Sequence, residues 1–250
     1  MAVLQKLLLK NRVIMSLINT QQKRVPFWQN CRESVILTIV GGAIDTIGFI
    51  ALFGFFTAHV TGNLVLAGAV WVNGGKGVWI KLAAIPLFIL TVIVTKYLIE
   101  RFDHKHKILA SLFLAEAFFL TAFMIAGLLF EPFKHAEAVS VAITGGLGLI
   151  ALAIRNTSSK TLIKHISPST MMTGNTTQLG IDISNYLSHP TEENRVSMVN
   201  SLSIILGFVI GAFLGAFLYW HLDFWSVAFF IFPILYLAYL AYNQKFKTPS

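Results

Sequence analysis

The chain has 250 residues, of which 56% are hydrophobic and only 12% are charged. Soluble domains carry about 25% charged residues, so this composition excludes a water-soluble globular protein and makes the lipid bilayer the principal partner. The net charge of +8 would raise nucleic acid as a partner in a soluble protein. Basic residues retained on the cytoplasmic side of a membrane explain the charge better, and we expect no nucleic-acid binding.

Residues 1–33 are basic and partly amphipathic, with apolar residues at roughly helical spacing between Lys6, Lys10 and Arg12. A signal peptide would need a continuous apolar core and a small-residue cleavage site, and neither is evident. The segment therefore predicts an interfacial helix on the cytoplasmic leaflet. Pro26 separates it from the apolar sequence that follows.

Six apolar segments have the length of membrane spans, which is about 20 residues. They are Ser34–Thr57, Val78–Leu98, Ile108–Phe130, Ala136–Ile154, Ser197–Trp220 and Phe224–Tyr242. All six should be helical, because an open strand would leave backbone groups unpaired in lipid. The predicted fold is an all-α polytopic membrane protein with one membrane repeat at 34–130 and a second at 131–250, ending in a short cytoplasmic tail.

Two further apolar runs, each opened by the tripeptide T-G-N, are too short to span easily: one lies within Ala58–Asn73 and the other begins near Met171. The distribution of charge predicts their topology. If both runs dip into the membrane and return, the cytoplasmic pieces 1–33, 96–107, 155–196 and 243–250 hold 6, 4, 4 and 2 of the 19 Lys and Arg residues. The other three, Lys76, Lys81 and Lys134, lie outside. The positive-inside rule thus favours six spans, two re-entrant half-helices and cytoplasmic N- and C-termini.

This arrangement is a repeat of three spans plus one half-helix. An odd number of spans per unit means that the second unit enters the membrane from the opposite side. The sequence therefore predicts a 3+3 inverted-topology repeat, with the two half-helices meeting near the midplane, where transporters of this architecture bind solutes.

The stretch Gly41–Phe49, followed by Phe55–Asn63, resembles the N-terminal signature of the YoaK family, whose members are bacterial inner-membrane proteins with a domain of unknown function. The family pattern is roughly G-x-x-D-x-x-G-F and then F-x-x-x-x-T-G-N. The matching residues are Gly42, Asp45, Gly48, Phe49, Thr61, Gly62 and Asn63. The resemblance covers about residues 34–242. It implies a multi-pass inner-membrane protein and is compatible with a permease, but it supplies no substrate.

The two T-G-N copies are the predicted substrate-binding residues: Thr61, Gly62, Asn63, Thr173, Gly174 and Asn175. The threonines can cap helix N-termini, the glycines allow a sharp backbone turn, and the asparagines both donate and accept hydrogen bonds. Two helix N-termini that meet would attract an anion or the oxygen of a polar solute. The alternative is that these residues only cap and pack two buried turns.

Two acidic residues lie within predicted spans and are candidates for proton or ion coupling. Asp45 lies midway along the first span and is also a predicted substrate contact, with hydrogen bonding to the T-G-N backbone as the structural alternative. Glu116 lies in the third span, where a proton relay and an interhelical hydrogen bond are equally compatible. His59 is interpreted as a satisfied polar residue rather than a switch, and Arg155 as a topology anchor.

The predicted function is a small secondary transporter for a polar solute, with an anion as one candidate. The alternatives are an aquaporin-like channel and a non-transporting scaffold. We expect no enzyme, no cofactor and no metal, because the sequence contains no nucleophile elbow, phosphate loop or metal-ligand spacing.

The glycine ladder Gly207, Gly211 and Gly215 favours close helix packing within the monomer over a dimer interface. A homo-oligomer remains an alternative.

Overall fold

The computed structural model describes residues 27–163 and 171–246. The chain divides into two units, Met1–Arg32 and Glu33–Ser250. Of the first unit only residues 27–32 are described, and they form the beginning of a helix. The predicted interfacial helix within 1–33 therefore lies almost entirely outside the described residues.

The described residues form eight α-helices and one 3-10 helix. They are α1 Phe27–Ala51, α2 Val60–Val72, α3 Val78–Arg101, α4 Lys105–Phe130, α5 Val139–Leu162, α6 Met172–Ser188, α7 Glu192–Leu222, the 3-10 helix Asp223–Val227, and α8 Ala228–Tyr242. No strand occurs in these ranges, which confirms the all-helical prediction.

Five segments of the described chain are long and apolar enough to cross a membrane. They are Cys31–Ala51, Val78–Arg101, Lys105–Phe130, Val139–Leu162 and Glu192–Tyr242. The last contains 51 residues and covers two of the six predicted spans, because α7 continues through the 3-10 helix into α8. Many large apolar side chains face outward, including Trp71, Phe213 and Trp220, each at least 75% exposed. An apolar exterior on apolar helices requires lipid as solvent.

The helix boundaries differ from the predicted spans at two places that affect the site. The first span was predicted to run to Thr57, but α1 ends at Ala51, and residues 52–59 form a non-helical connector. The fourth span was predicted to end at Ile154, but α5 continues to Leu162. Its last two turns carry Asn156, Thr157 and Lys160, which hydropathy alone had assigned to a loop.

The close approach of α1 and α7 follows from glycine on both helices. A Cβ atom added to Gly215 would lie 2.7 Å from the Cα of Ala43, and one added to Gly211 would overlap the backbone of Ile39. On α1, a Cβ atom at Gly42 would overlap the carbonyl oxygen of Phe208. The predicted glycine ladder therefore serves packing within the chain, as expected.

Arg155 was interpreted as a topology anchor, and this interpretation is wrong. Its side chain is 0% exposed and donates from Nε to Glu116 Oε1 of α4 at 2.8 Å, and from Nη1 to the Leu37 carbonyl of α1 at 2.9 Å. Its Nη2 also contacts Glu116 Oε1. A charge in this apolar interior is tolerated only when it is paired and hydrogen-bonded, which explains why Arg155 lies where Glu116 is available.

Candidate functional site

The carboxylate of Asp45 organises the connector between α1 and α2. Its Oδ1 accepts the backbone N–H of Ala58 at 2.6 Å and that of His59 at 3.4 Å, and the hydroxyl of Thr57 donates to it at 3.4 Å. Thr57 also approaches the Ile44 carbonyl at 3.3 Å. The connector has left the helical hydrogen-bond ladder, so in an apolar interior its N–H groups need such side-chain acceptors.

Two polar side chains from other helices also form hydrogen bonds with the connector. The amide of Asn63, on α2, accepts the Phe56 N–H at 2.9 Å and donates to the Phe56 carbonyl at 2.8 Å, as a strand neighbour would. The ammonium of Lys81, on α3, donates to the Phe53 carbonyl at 3.0 Å. Phe53 has a φ of 53° and precedes Gly54 at 75°, so this carbonyl lies at the sharpest point of the turn. Three helices thus satisfy one connector.

His59 is the second partner of the Asp45 carboxylate. Its Nδ1 lies 2.6 Å from Oδ2, and the side chains of His59 and Asp45 are 30% and 4% exposed. Phe56 and Phe208 pack edge-on against the imidazole ring, with centroids 5.8 and 5.5 Å away. His59 lies in the connector, outside the five candidate spans. Its hydrogen bond to Asp45 raises the pKa of the imidazole above the ordinary value of 6.5, and partial burial opposes that effect only in part.

A cavity of about 530 Å³ lies between the first turns of α2 and α6. We call it the central cavity. Both T-G-N copies line it, the first through Thr61 and the second through Thr173 and Gly174. The rest of the wall comes from the connectors and from α3 and α5, and includes Ala58, His59, Val60, Phe88, Val92, Lys96, Asn156, Thr157, Lys160, Thr161, Met171 and Met172. The two copies, 112 residues apart in sequence, therefore face one space.

A second cavity of about 490 Å³ lies beside the connector. We call it the Asp45 cavity, and it is lined by Asp45, Thr46, Phe49, Phe56, His59, Thr61, Gly62, Val65 and Phe208. His59 and Thr61 line both cavities, so the two cavities adjoin at these residues.

The two T-G-N copies have matching environments. Each helix begins one residue before its threonine, at Val60 and at Met172. The threonines are exposed, whereas Asn63 and Asn175 are 0% and 5% exposed. In both copies the threonine is exposed and lines the central cavity, whereas the asparagine is buried.

Two details of the T-G-N prediction are wrong. The positions that precede the helices are His59 and Met171, and no threonine side chain caps either helix, because each threonine already lies inside the first turn. The glycines make no sharp turn, since neither has a positive φ. Gly62 instead provides room: an added Cβ would lie 2.9 Å from the ring of Phe56, whereas Gly174 has open space around its Cα.

The second predicted coupling residue, Glu116, and the acidic residue Asp182 make their contacts outside both cavities. Glu116 lines neither cavity and is 0% exposed in its ion pair with Arg155. Asp182, on α6, accepts from Gln178 Nε2 at 2.9 Å and from Ser201 Oγ of α7 at 2.5 Å, so it joins two helices. Within 27–163 and 171–246 no group of three His, Cys, Asp or Glu residues could hold a metal ion.

Sequence patterns did not predict that His59 and three lysines contact the connector or line the cavities. His59 lies 14 residues from Asp45, and only the break in the helix brings the two together. Lys81 had been counted among the outer charges, and Lys96 and Lys160 among the cytoplasmic ones. The available signal was the apolar surroundings of Lys81, because a lysine within an apolar run needs a partner.

The long apolar helices, the lipid-facing exterior and the buried polar site define a multi-pass α-helical membrane protein. The chain belongs to the family described as "Protein of unknown function (DUF1275)", whose sequence model matches residues 34–241. It is also similar to "UPF0700 transmembrane protein YoaK" of Bacillus subtilis (strain 168), with 31% identity over 215 residues that cover 82% of this chain and 92% of that protein. These matches confirm the YoaK-family resemblance. No solved structure gives a significant match.

Proposed function

We propose that the protein is a small secondary transporter for a polar solute that binds in the central cavity. One observation carries this proposal: the first turns of α2 and α6 open into the same space. Helix N-termini present unpaired N–H groups and positive partial charge, and paired half-helices of this kind hold solutes in transporters with repeated architectures. The solute is proposed to leave chemically unchanged, so the protein is not an enzyme.

The charges around the cavity favour an anion. Lys96 of α3 and Lys160 of α5 line the cavity, and no carboxylate of the described residues does. Lys96 is paired with Glu100 at 2.7 Å, whereas Lys160 has no ion-pair partner among the described residues. Lys160 is therefore the proposed anchor for the negative group. The apolar wall, which includes Phe88, Val92 and Met172, would contact the rest of the solute.

The architecture proposed for this activity is the 3+3 inverted repeat, with α2 and α6 as re-entrant half-helices in a bacterial inner membrane. It is supported by helix length: α2 has 13 residues and α6 has 17, while a span needs about 20. The matched burial of Asn63 and Asn175 at the same register also supports it. In this architecture α2 enters from outside and α6 from the cytoplasm, and their first turns meet at the central cavity.

A ligand screen on purified protein in lipid nanodiscs tests the proposal. Small organic anions and their uncharged amides are compared for the increase in melting temperature that they cause, because a ligand stabilises the folded state in proportion to the logarithm of its concentration above Kd. We expect stabilisation by an anion that Lys160→Gln weakens. Lys134→Gln is the matched control, since Lys134 is exposed and lines neither cavity.

Transport by the identified solute is then measured in proteoliposomes. A transporter gives saturable uptake and exchange against solute on the other side. Flux that rises linearly with concentration and shows no exchange would indicate a channel. Absence of stabilisation across the anion and amide sets, with a well-folded protein, would favour a scaffold and contradict the proposal.

A further inference from the structure

The two members of the Asp45–His59 pair have unequal access to the two cavities. Asp45 lines only the Asp45 cavity, whereas His59 lines both. The carboxylate is 4% exposed and is engaged by the N–H of Ala58 and of His59 and by Thr57. The imidazole is 30% exposed. The histidine is therefore the member of the pair that can exchange a proton with either cavity.

The hydrogen bond fixes which ring nitrogen is available. The Asp45 oxygens act as acceptors toward the connector, so Nδ1 of His59 is assigned as the donor to Oδ2, 2.6 Å away. The proton that comes and goes is then the one on Nε2. Gain of that proton converts neutral imidazole to imidazolium, and no other bond forms or breaks.

We infer that the Asp45–His59 pair is a proton-binding site whose occupancy is coupled to the binding of an anion in the central cavity. The pair carries one net negative charge when the imidazole is neutral and none when it is protonated. An anion in the adjacent cavity is repelled by the first state and not by the second. Proton and anion therefore favour each other's binding by the same factor, as thermodynamic linkage requires.

This coupling predicts that the proton and the anion cross the membrane in the same direction, a prediction that rests on the proposed transport function. A site that holds proton and anion together and releases them together is a symporter. Among the described residues, the other charged side chains that line the central cavity with His59 are Lys96 of α3 and Lys160 of α5, and the Asp45 cavity adds none beyond Asp45. Glu100 offsets the charge of Lys96, so Lys160 is the lysine that favours the anion and disfavours the proton, and an anion that offsets its charge makes protonation of His59 easier.

The inference is tested by ¹⁵N NMR of histidine-labelled protein in nanodiscs, recorded as a function of pH, with the proton as the only ligand. The chain has seven histidines, and the His59 resonance is the one lost in His59→Gln. We expect it to titrate with a midpoint above the ordinary value. Asp45→Asn should move the midpoint to lower pH, and Lys160→Gln should move it to higher pH. Lys134→Gln and His135→Gln, both at exposed residues away from the cavities, should leave it in place.

Three outcomes would overturn the inference: a His59 resonance that does not titrate, a midpoint indifferent to Asp45→Asn, or one indifferent to Lys160→Gln. If Asp45→Asn does not fold, the wild-type titration and Lys160→Gln still decide. No transported solute is needed. A titrating, lysine-sensitive His59 in a protein that transports nothing would contradict only the proposed function, and a silent His59 in an active transporter would contradict only this inference.

Discussion

Arg155 Nε lies 2.8 Å from Glu116 Oε1, and both side chains are 0% exposed. This pair joins α4 to α5, and the contact of Arg155 with the Leu37 carbonyl brings in α1. Removing one partner of a buried pair leaves an uncompensated charge, which costs far more than the pair contributes as a whole. The pair is therefore the polar contact whose disruption should be most damaging to the fold.

Glu116→Gln should destabilise the protein by roughly 3–5 kcal/mol, because Arg155 stays charged and buried. Glu116→Leu combined with Arg155→Met should recover much of that loss. The measurement is thermal unfolding in nanodiscs. Glu192→Gln is the matched control: it breaks the exposed Arg195–Glu192 pair and should leave the melting temperature within error. Equal effects of the buried and exposed substitutions would contradict a buried pair.

Asn63→Ala should destabilise the connector by roughly 1–3 kcal/mol, because it leaves the N–H and the carbonyl of Phe56 without partners in an apolar environment. Hydrogen exchange at the Phe56 amide should accelerate together with the loss of thermal stability. Asn73→Ala, at an exposed position, serves as the control. A variant with slow exchange at Phe56 would show that Asn63 does not hold this segment.

Gly211→Ala should lower stability by about 1–3 kcal/mol, since the added Cβ would overlap the Ile39 backbone and force α7 away from α1. Gly180→Ala has nothing within 4 Å of the added Cβ and should be neutral or stabilising by up to about 1 kcal/mol, because alanine is the better helix former. The two substitutions are chemically identical, so their difference in melting temperature reports the contact alone.

The proposed topology is tested by cysteine accessibility in intact cells, on a Cys31→Ser background. Lys76→Cys, in the α2–α3 connection, should react with an impermeant reagent added outside. His189→Cys, between α6 and α7, should react only after the membrane is opened. Labelling of His189→Cys from outside would rule out six spans with two re-entrant helices.

Much of the helical layout was predictable because hydrophobic runs in a bilayer have few alternatives to helix. The run beginning at Ala58 became α2 almost residue for residue, and the glycine ladder showed which face of α7 packs closely. The helix ends were harder, since α5 continues past Arg155, whose charge is paired with Glu116 of α4, 39 residues away in sequence. Part of the candidate site was predictable, because the two T-G-N copies mark two helix N-termini that line one cavity. The pairing of Asp45 with His59 was not predictable, because it depends on a chain reversal that no local pattern encodes.

The position of His59 and Thr61 on both cavities has one further consequence. The cavities of about 530 and 490 Å³ adjoin at the start of α2, where Thr61 lies in the first turn and His59 precedes the helix. Side chains change rotamer in nanoseconds, whereas packed helices rearrange in microseconds or more slowly. A rotamer change at His59 or Thr61 would therefore reshape both cavities faster than any movement of the helices around them.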